Sequence, residues 1–116
     1  MDLEGFRRYC LAKPGVTEET PFGPDTVVYK VMGKVFALAG LDHFTAVNLK
    51  CDPERAVELR ERYQAVRPGY HMNKKHWNTV AVNEDVDDRL LRTFIDDSYG
   101  LVAASLPKKL RDTLPG

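Results

Sequence analysis

Between Arg62 and Asn83 the chain carries no carboxylate, yet Arg67, His71, Lys74, Lys75 and His76 fall there with Tyr70 and Trp77 among them. Basic side chains reach phosphates while an aromatic face stacks on a base or packs on a sugar, so this mixture has the chemistry of nucleic-acid contact. Arg62, Arg67, Lys74 and Lys75 are its fixed charges, and so few predict weak, salt-sensitive binding through a small number of phosphates. The same residues also suit an ordered loop in which Tyr70, Met72 and Trp77 cover a sheet edge while the lysines stay in water. A second basic set is Lys30, Lys34 and Lys50. Each either joins a concave anion site or is a solvated strand residue.

Other chemistry is thinly represented. His71 and His76 are five apart, which is not the i, i+4 pairing of a helical zinc motif, and no Cys-x-x-Cys or acidic ligand set accompanies them. Cys10 falls on an apolar helical stripe. Cys51 precedes a helix start, whose dipole would lower its pKa slightly, but no base is near it in sequence. Glu84, Asp85, Asp87, Asp88, Asp96 and Asp97 make an acidic run that suits either the first turn of a helix or a cation. Gly23, Gly33 and Gly40 are too dispersed for a phosphate-cradling loop, and Gly-x-Ser-x-Gly is absent. No nucleophile, base and oxyanion site assemble, so neither metal nor cofactor is expected, and the residues favour a non-enzymatic role.

The elements that must position these groups follow from periodicity. Leu3, Phe6 and Cys10 share one helical stripe, with Asp2 as N-cap and Pro14-Gly15 as the stop. Thr26 to Met32, a tight turn at Gly33-Lys34, and Val35 to Ala39 predict a β-hairpin. Phe44 to Leu49 is expected as a third, antiparallel strand, with Thr45, Val47 and Leu49 on one side and Phe44, Ala46 and Asn48 on the other. Parity sets Lys30 on the face of Val28 and Met32, away from Val27, Tyr29 and Val31. Asp52-Pro53-Glu54 opens a helix that runs to about Tyr63, with Ala56, Val57, Leu59 and Tyr63 inward and its other residues charged and solvated. The stretch from Val66 to His76 is too irregular for regular structure. Trp77 to Val82 predicts a strand, and a helical region starts at Asp85 or Asp87, with a possible break at Asp97-Ser98 and a short terminal helix after Pro107.

Clustered strands flanked by helices predict a single α+β domain over residues 1–116, a two-layer fold with a mainly antiparallel sheet and helices packed on one face. With 116 residues, 43% of them hydrophobic, the chain is long enough to bury a core. Its 17 basic and 17 acidic residues cancel, so no overall field recruits nucleic acid or an anionic membrane and any such contact is local. The longest uncharged stretch, Ser98 to Pro107, is about half the length of a membrane span. The opening residues lack the charged and apolar regions of a signal peptide, and two cysteines make no disulfide framework. A cytoplasmic monomer that does not enter the membrane is the expectation.

Five pieces carry a family resemblance: Pro14 to Gly23, Val28 to Ala37, Asn48 to Glu54, Pro68 to Val80, and Asp97 to Val102 followed by Leu106 to Lys109. In this order they resemble the MmcQ/YjbR family over nearly the whole chain. The resemblance implies a compact α+β domain with a frataxin-like or secretion-chaperone-like layout. It also implies a small cytoplasmic bacterial protein, with a DNA-binding role through paired wing-like elements proposed for the family. It places Lys30, Lys34, Lys50, His71, Asn73, Lys74, Lys75, His76 and Trp77 in matching pieces as candidate nucleic-acid or anion contacts. Iron is not carried over, since the first helix offers only Asp2 and Glu4 where frataxins have an acidic helix. Three readings stand: weak DNA binding through the Lys74–Trp77 loop, a protein-binding or chaperone-like adaptor, and a small-ligand or phosphate pocket needing Lys30, His71 and His76 together.

Overall fold

The computed structural model describes residues 1–70 and 72–115. The first helix, α1 (Leu3–Leu11), starts where the Asp2 carboxylate accepts the Gly5 amide, and it buries Phe6 and Cys10. Four strands follow: β1 (Val16–Glu19), β2 (Thr26–Val31), β3 (Lys34–Gly40) and β4 (Ala46–Lys50). Then come α2 (Pro53–Arg62), β5 (Val66–Pro68), β6 (Trp77–Ala81), α3 (Asp88–Ala104) and the short α4 (Lys108–Arg111). The strands form one sheet in the order β1-β2-β3-β4-β6-β5, antiparallel throughout. This is the α+β fold expected from the clustering of strands.

Several local expectations shift. Val16–Glu19 is an edge strand that the sequence concealed, because only Val16 is even partly buried. The hairpin turn is one residue earlier than expected, at Met32-Gly33, where φ is 49° and 90°. A two-residue turn that matches the twist of the flanking strands needs positive φ at both positions, and Lys34 is released to begin β3. Phe44 lies ahead of β4, so strand parity does not govern it, and its ring packs 5.5 Å from Phe6. Val57 is 49% exposed and leaves the α2 stripe to Ala56 and Leu59. Val66–Pro68 pairs with β6, so part of the segment read as irregular is a strand. The helix α3 is continuous through Asp97-Ser98, with Asp87 as its N-cap.

The core lies between one sheet face and the helices. Val27, Tyr29, Val31, Ala37, Ala39, Val47, Leu49 and Val80 meet Phe6 and Cys10 of α1, Ala56 and Leu59 of α2, and Leu91, Phe94, Ile95 and Val102 of α3. Phe6 stands edge-on to Tyr29 at 5.6 Å, and Phe36 to Tyr99 at 5.4 Å. The register moves from Tyr29↔Ala37 to Lys30↔Val35, so Phe36 is an extra residue in β3. That bulge lets both Phe36 and Ala37 turn toward the helices. Beside it Ser98, fully buried on α3, accepts the Lys50 amide at 2.8 Å and donates to the Phe36 carbonyl at 2.6 Å. A helix hydroxyl thus joins β4 to β3 just past the Ala37↔Leu49 pair. Among the described residues no helix is long and apolar enough to cross a membrane.

Candidate functional site

None of α1, α2 or α3 packs on the second face of the sheet. Register places its side chains in cross-strand rows. One row runs Glu19, Val28, Leu38, Asn48, Thr79 and Arg67 from edge to edge. A neighbouring row holds Thr17, Lys30 and Val35, and then Lys50 opposite Trp77. The face is apolar at Val28 and Leu38 and becomes polar and basic across β4, β6 and β5. Those three strands carry Lys50 and Arg67 and not one carboxylate.

The candidate residues divide on this scaffold. Lys50 and Trp77 lie side by side and half-buried on the second face. Lys30 shares that face, as parity predicted, but its ammonium is 3.2 Å from Glu19, whose carboxyl is held below the usual range mainly by that contact. Lys34, opposite the core residue Val31, is not on that face and donates to the Ser105 carbonyl at 3.3 Å, a cation at the negative end of α3. Asn73 serves the loop itself: its side chain accepts the Lys75 amide at 2.9 Å, and its carbonyl accepts Trp77 and His76 amides. Lys74 donates to the Gly69 carbonyl at 3.0 Å, leaving Lys75 as the loop's outward lysine. The His76 carbonyl accepts the Cys51 amide at 2.8 Å, which extends the β4–β6 ladder. His71 lies outside the described residues.

Three contributors escaped the sequence reading. Arg60, by sequence one charge on a solvated helix face, donates to Asn78 at 2.6 Å, to the Trp77 carbonyl at 3.2 Å and to the Lys74 carbonyl, clamping the loop to α2. Thr79 accepts the Tyr70 amide at 2.8 Å and donates to Asn48, which ties the loop's start to the sheet face. Gly69 has no room for a side chain, since a Cβ would lie 2.9 Å from the Trp77 carbonyl oxygen and 2.8 Å from its Cβ. A glycine after a proline signals a turn, but its closeness to β6 depends on tertiary register. Among the described residues Lys50, Arg67 and Lys75 have no carboxylate partner.

Elsewhere the chemistry is structural. The acidic run is dispersed: Asp85 accepts the Gln64 and Ala65 amides, Asp87 caps α3, Asp96 meets Tyr9 and Lys13, and Asp97 faces Arg55. Among the described residues no three His, Cys, Asp or Glu side chains gather to hold a metal ion. Burial raises the Cys51 thiol rather than lowering it, because desolvation outweighs the helix dipole invoked for it. Burial also pushes Cys10 up to about 12. Glu18 sits in a partly buried network, where burial alone would raise it, but hydrogen bonds from Arg7 and Tyr29 hold it low. A cavity of about 20 Å³ beneath Lys50, Asn78 and Phe94 has room for a single water. Of the residues a small-ligand pocket would need together, β3 and β4 separate Lys30 from the His76 end of β6 by roughly 14 Å at three strand spacings, and His71 lies outside the described residues.

Comparison with known proteins agrees with this architecture. The YjbR family model matches residues 11–101. The uncharacterized protein YbdF of Escherichia coli O157:H7 is 41% identical over 107 residues, covering 91% of this chain and 88% of that one. The uncharacterized protein YjbR of Escherichia coli K12 is 33% identical over 98% of both chains. A Deinococcus radiodurans crystal structure superposes with a TM-score of 0.90 at 37% identity, over 97% of this chain and 88% of its own. A Pseudomonas syringae crystal structure gives 0.75 at 28% identity, over 88% and 99%. From the last residue of α1 to near the end of α3, in sequence and in fold, the chain belongs to the YjbR family.

Proposed function

We propose that this protein is a non-enzymatic binding module that takes up nucleic acid, DNA included, weakly and reversibly on the second sheet face and the loop before Trp77. The observation that carries the reading is the absence of any carboxylate from β4, β5, β6 and the described part of the loop joining the last two, while Lys50, Arg67 and Lys75 stand there without acidic partners. In a chain with no net charge, phosphates are drawn by a local basic surface of this kind rather than by an overall field. The test is fluorescence anisotropy of labelled DNA at low salt, repeated as salt is raised. Binding should saturate, and log K should fall with log[salt] at about −0.9 per phosphate contacted on a duplex. Lys50→Glu and Lys75→Glu should each reduce that slope by about 1. An unchanged slope in both variants excludes this face. Lys74 is the wrong residue to change, since its ammonium holds the loop through Gly69.

A second reading, a protein-binding adaptor, is favoured by Phe22, 71% exposed in the β1–β2 loop at the far edge of the sheet. Binding to a protein partner that survives high salt and is lost in Phe22→Ser would select it.

A further inference from the structure

We infer that the occupant of this face is a single strand rather than a duplex, an inference that rests on the nucleic-acid reading above. A duplex is read by a helix or ribbon that protrudes into a groove. Here α2 presents Glu54, Glu58 and Glu61 among its arginines, and α3 opens with Asp88 and carries Asp96 and Asp97, so neither helix offers a basic ridge. Lys50, Arg67 and Lys75, by contrast, belong to a sheet face and its bordering loop. A sheet face with an aromatic residue in its row meets bases by their flat sides, and only unpaired bases present those.

Trp77 supplies the platform. It occupies the row position opposite Lys50, and among the described residues no aromatic ring or cation stacks on its indole. Tyr70, 68% exposed, is held beside the same face through its amide on Thr79. Lys50 and Arg67 bracket this aromatic pair on β4 and β5, and Lys75 borders it from the loop. A groove lined by Thr45, Ala46, Arg67, Thr79 and Ala81 also holds Glu84, whose charge repels phosphate. Three cations predict about three phosphate contacts, hence a salt slope near −2 at roughly −0.7 each for a single strand.

The experiment titrates labelled single-stranded DNA and RNA of about 12 nucleotides, and a duplex of the same sequence, into the full chain while following both label anisotropy and Trp77 emission. The inference expects either single strand to bind at least about tenfold more tightly than the duplex and to quench Trp77. Tyr70→Ala, at an exposed position, should weaken single-strand binding by about fivefold or more, the lower end of one lost base–aromatic stack. Lys50→Gln should flatten the salt slope without altering the fold, as checked by circular dichroism. Equal or tighter duplex binding overturns the single-strand inference while leaving nucleic-acid binding in place. Single-strand binding indifferent to Tyr70→Ala and silent in Trp77 emission overturns the stacking platform. No anisotropy change with any oligonucleotide at low salt overturns the nucleic-acid reading itself.

Discussion

Ser98→Ala should be among the most damaging substitutions available for its size. The serine is fully buried, and its hydroxyl is the partner of two main-chain groups, the Lys50 N–H and the Phe36 C=O. Phe36 is itself fully buried, so its carbonyl has no water to turn to. Removing a hydroxyl leaves no useful cavity; the cost is two stranded polar groups. Each buried orphan costs about 1–3 kcal/mol, with the carbonyl toward the lower end because it has a second lone pair. The variant should therefore lose about 2–4 kcal/mol, a large share of the roughly 5–15 kcal/mol typical of a whole domain. Urea denaturation followed by Trp77 emission and by far-ultraviolet circular dichroism measures this, and the m value should not change. A loss below about 0.5 kcal/mol with unchanged m would refute the reasoning, because it would mean that β3 and β4 close on each other and that the serine is dispensable.

Phe6→Ala should cost about 3–5 kcal/mol by the same denaturation assay, since a fully buried ring between Tyr29 and Phe44 is replaced by a cavity. Asp85→Ala should cost about 1 kcal/mol, mainly by leaving the buried Ala65 amide without its acceptor while the exposed Gln64 amide turns to water, and faster hydrogen exchange at those two positions should localise it. Cys10 has a folded pKa pushed up to about 12 by burial, so it keeps its proton when the unfolded chain has lost it. Stability is full below the ordinary thiol value and should fall by up to about 1.4 kcal/mol per pH unit between about 9 and 12, a slope that Cys10→Ala should reduce. Glu18 is shifted the other way, so its contribution is present above the usual glutamate range and lost as acid titrates it, and Glu18→Gln should blunt the acid limb of a stability–pH curve.

The sequence disclosed what is local. Asp2, Asp52-Pro53 and Asp87 begin helices because a carboxylate over free amides needs no distant partner. Strand parity on β2 gave the correct side for Lys30. What stayed hidden depends on residues far away. Ser98 looked like a helix break because a serine flanked by aspartate is polar by type, yet its partners are on two strands. β5 has three residues, one of them proline, too few for a pattern to emerge. At the candidate site the basic loop was visible as composition, but its sorting was not. Only cross-strand register pairs Lys30 with Glu19, and only the packing of α2 brings Arg60 onto the loop.

The placement of β6 between β4 and β5 also sets a time order. The β2–β3 hairpin closes through a two-residue turn, whereas pairing Ala46–Lys50 with Trp77–Ala81 first requires α2, β5 and the loop to be looped out. Local closure is fast and distant closure slow. Pulse-labelled hydrogen exchange during refolding should therefore protect the amides bonded between β2 and β3 before those bonded between β4 and β6. Lys50 and Trp77 become neighbours only when β4 and β6 pair, so a chain still emerging from the ribosome carries Lys50 before it has the surface to which Lys50 belongs.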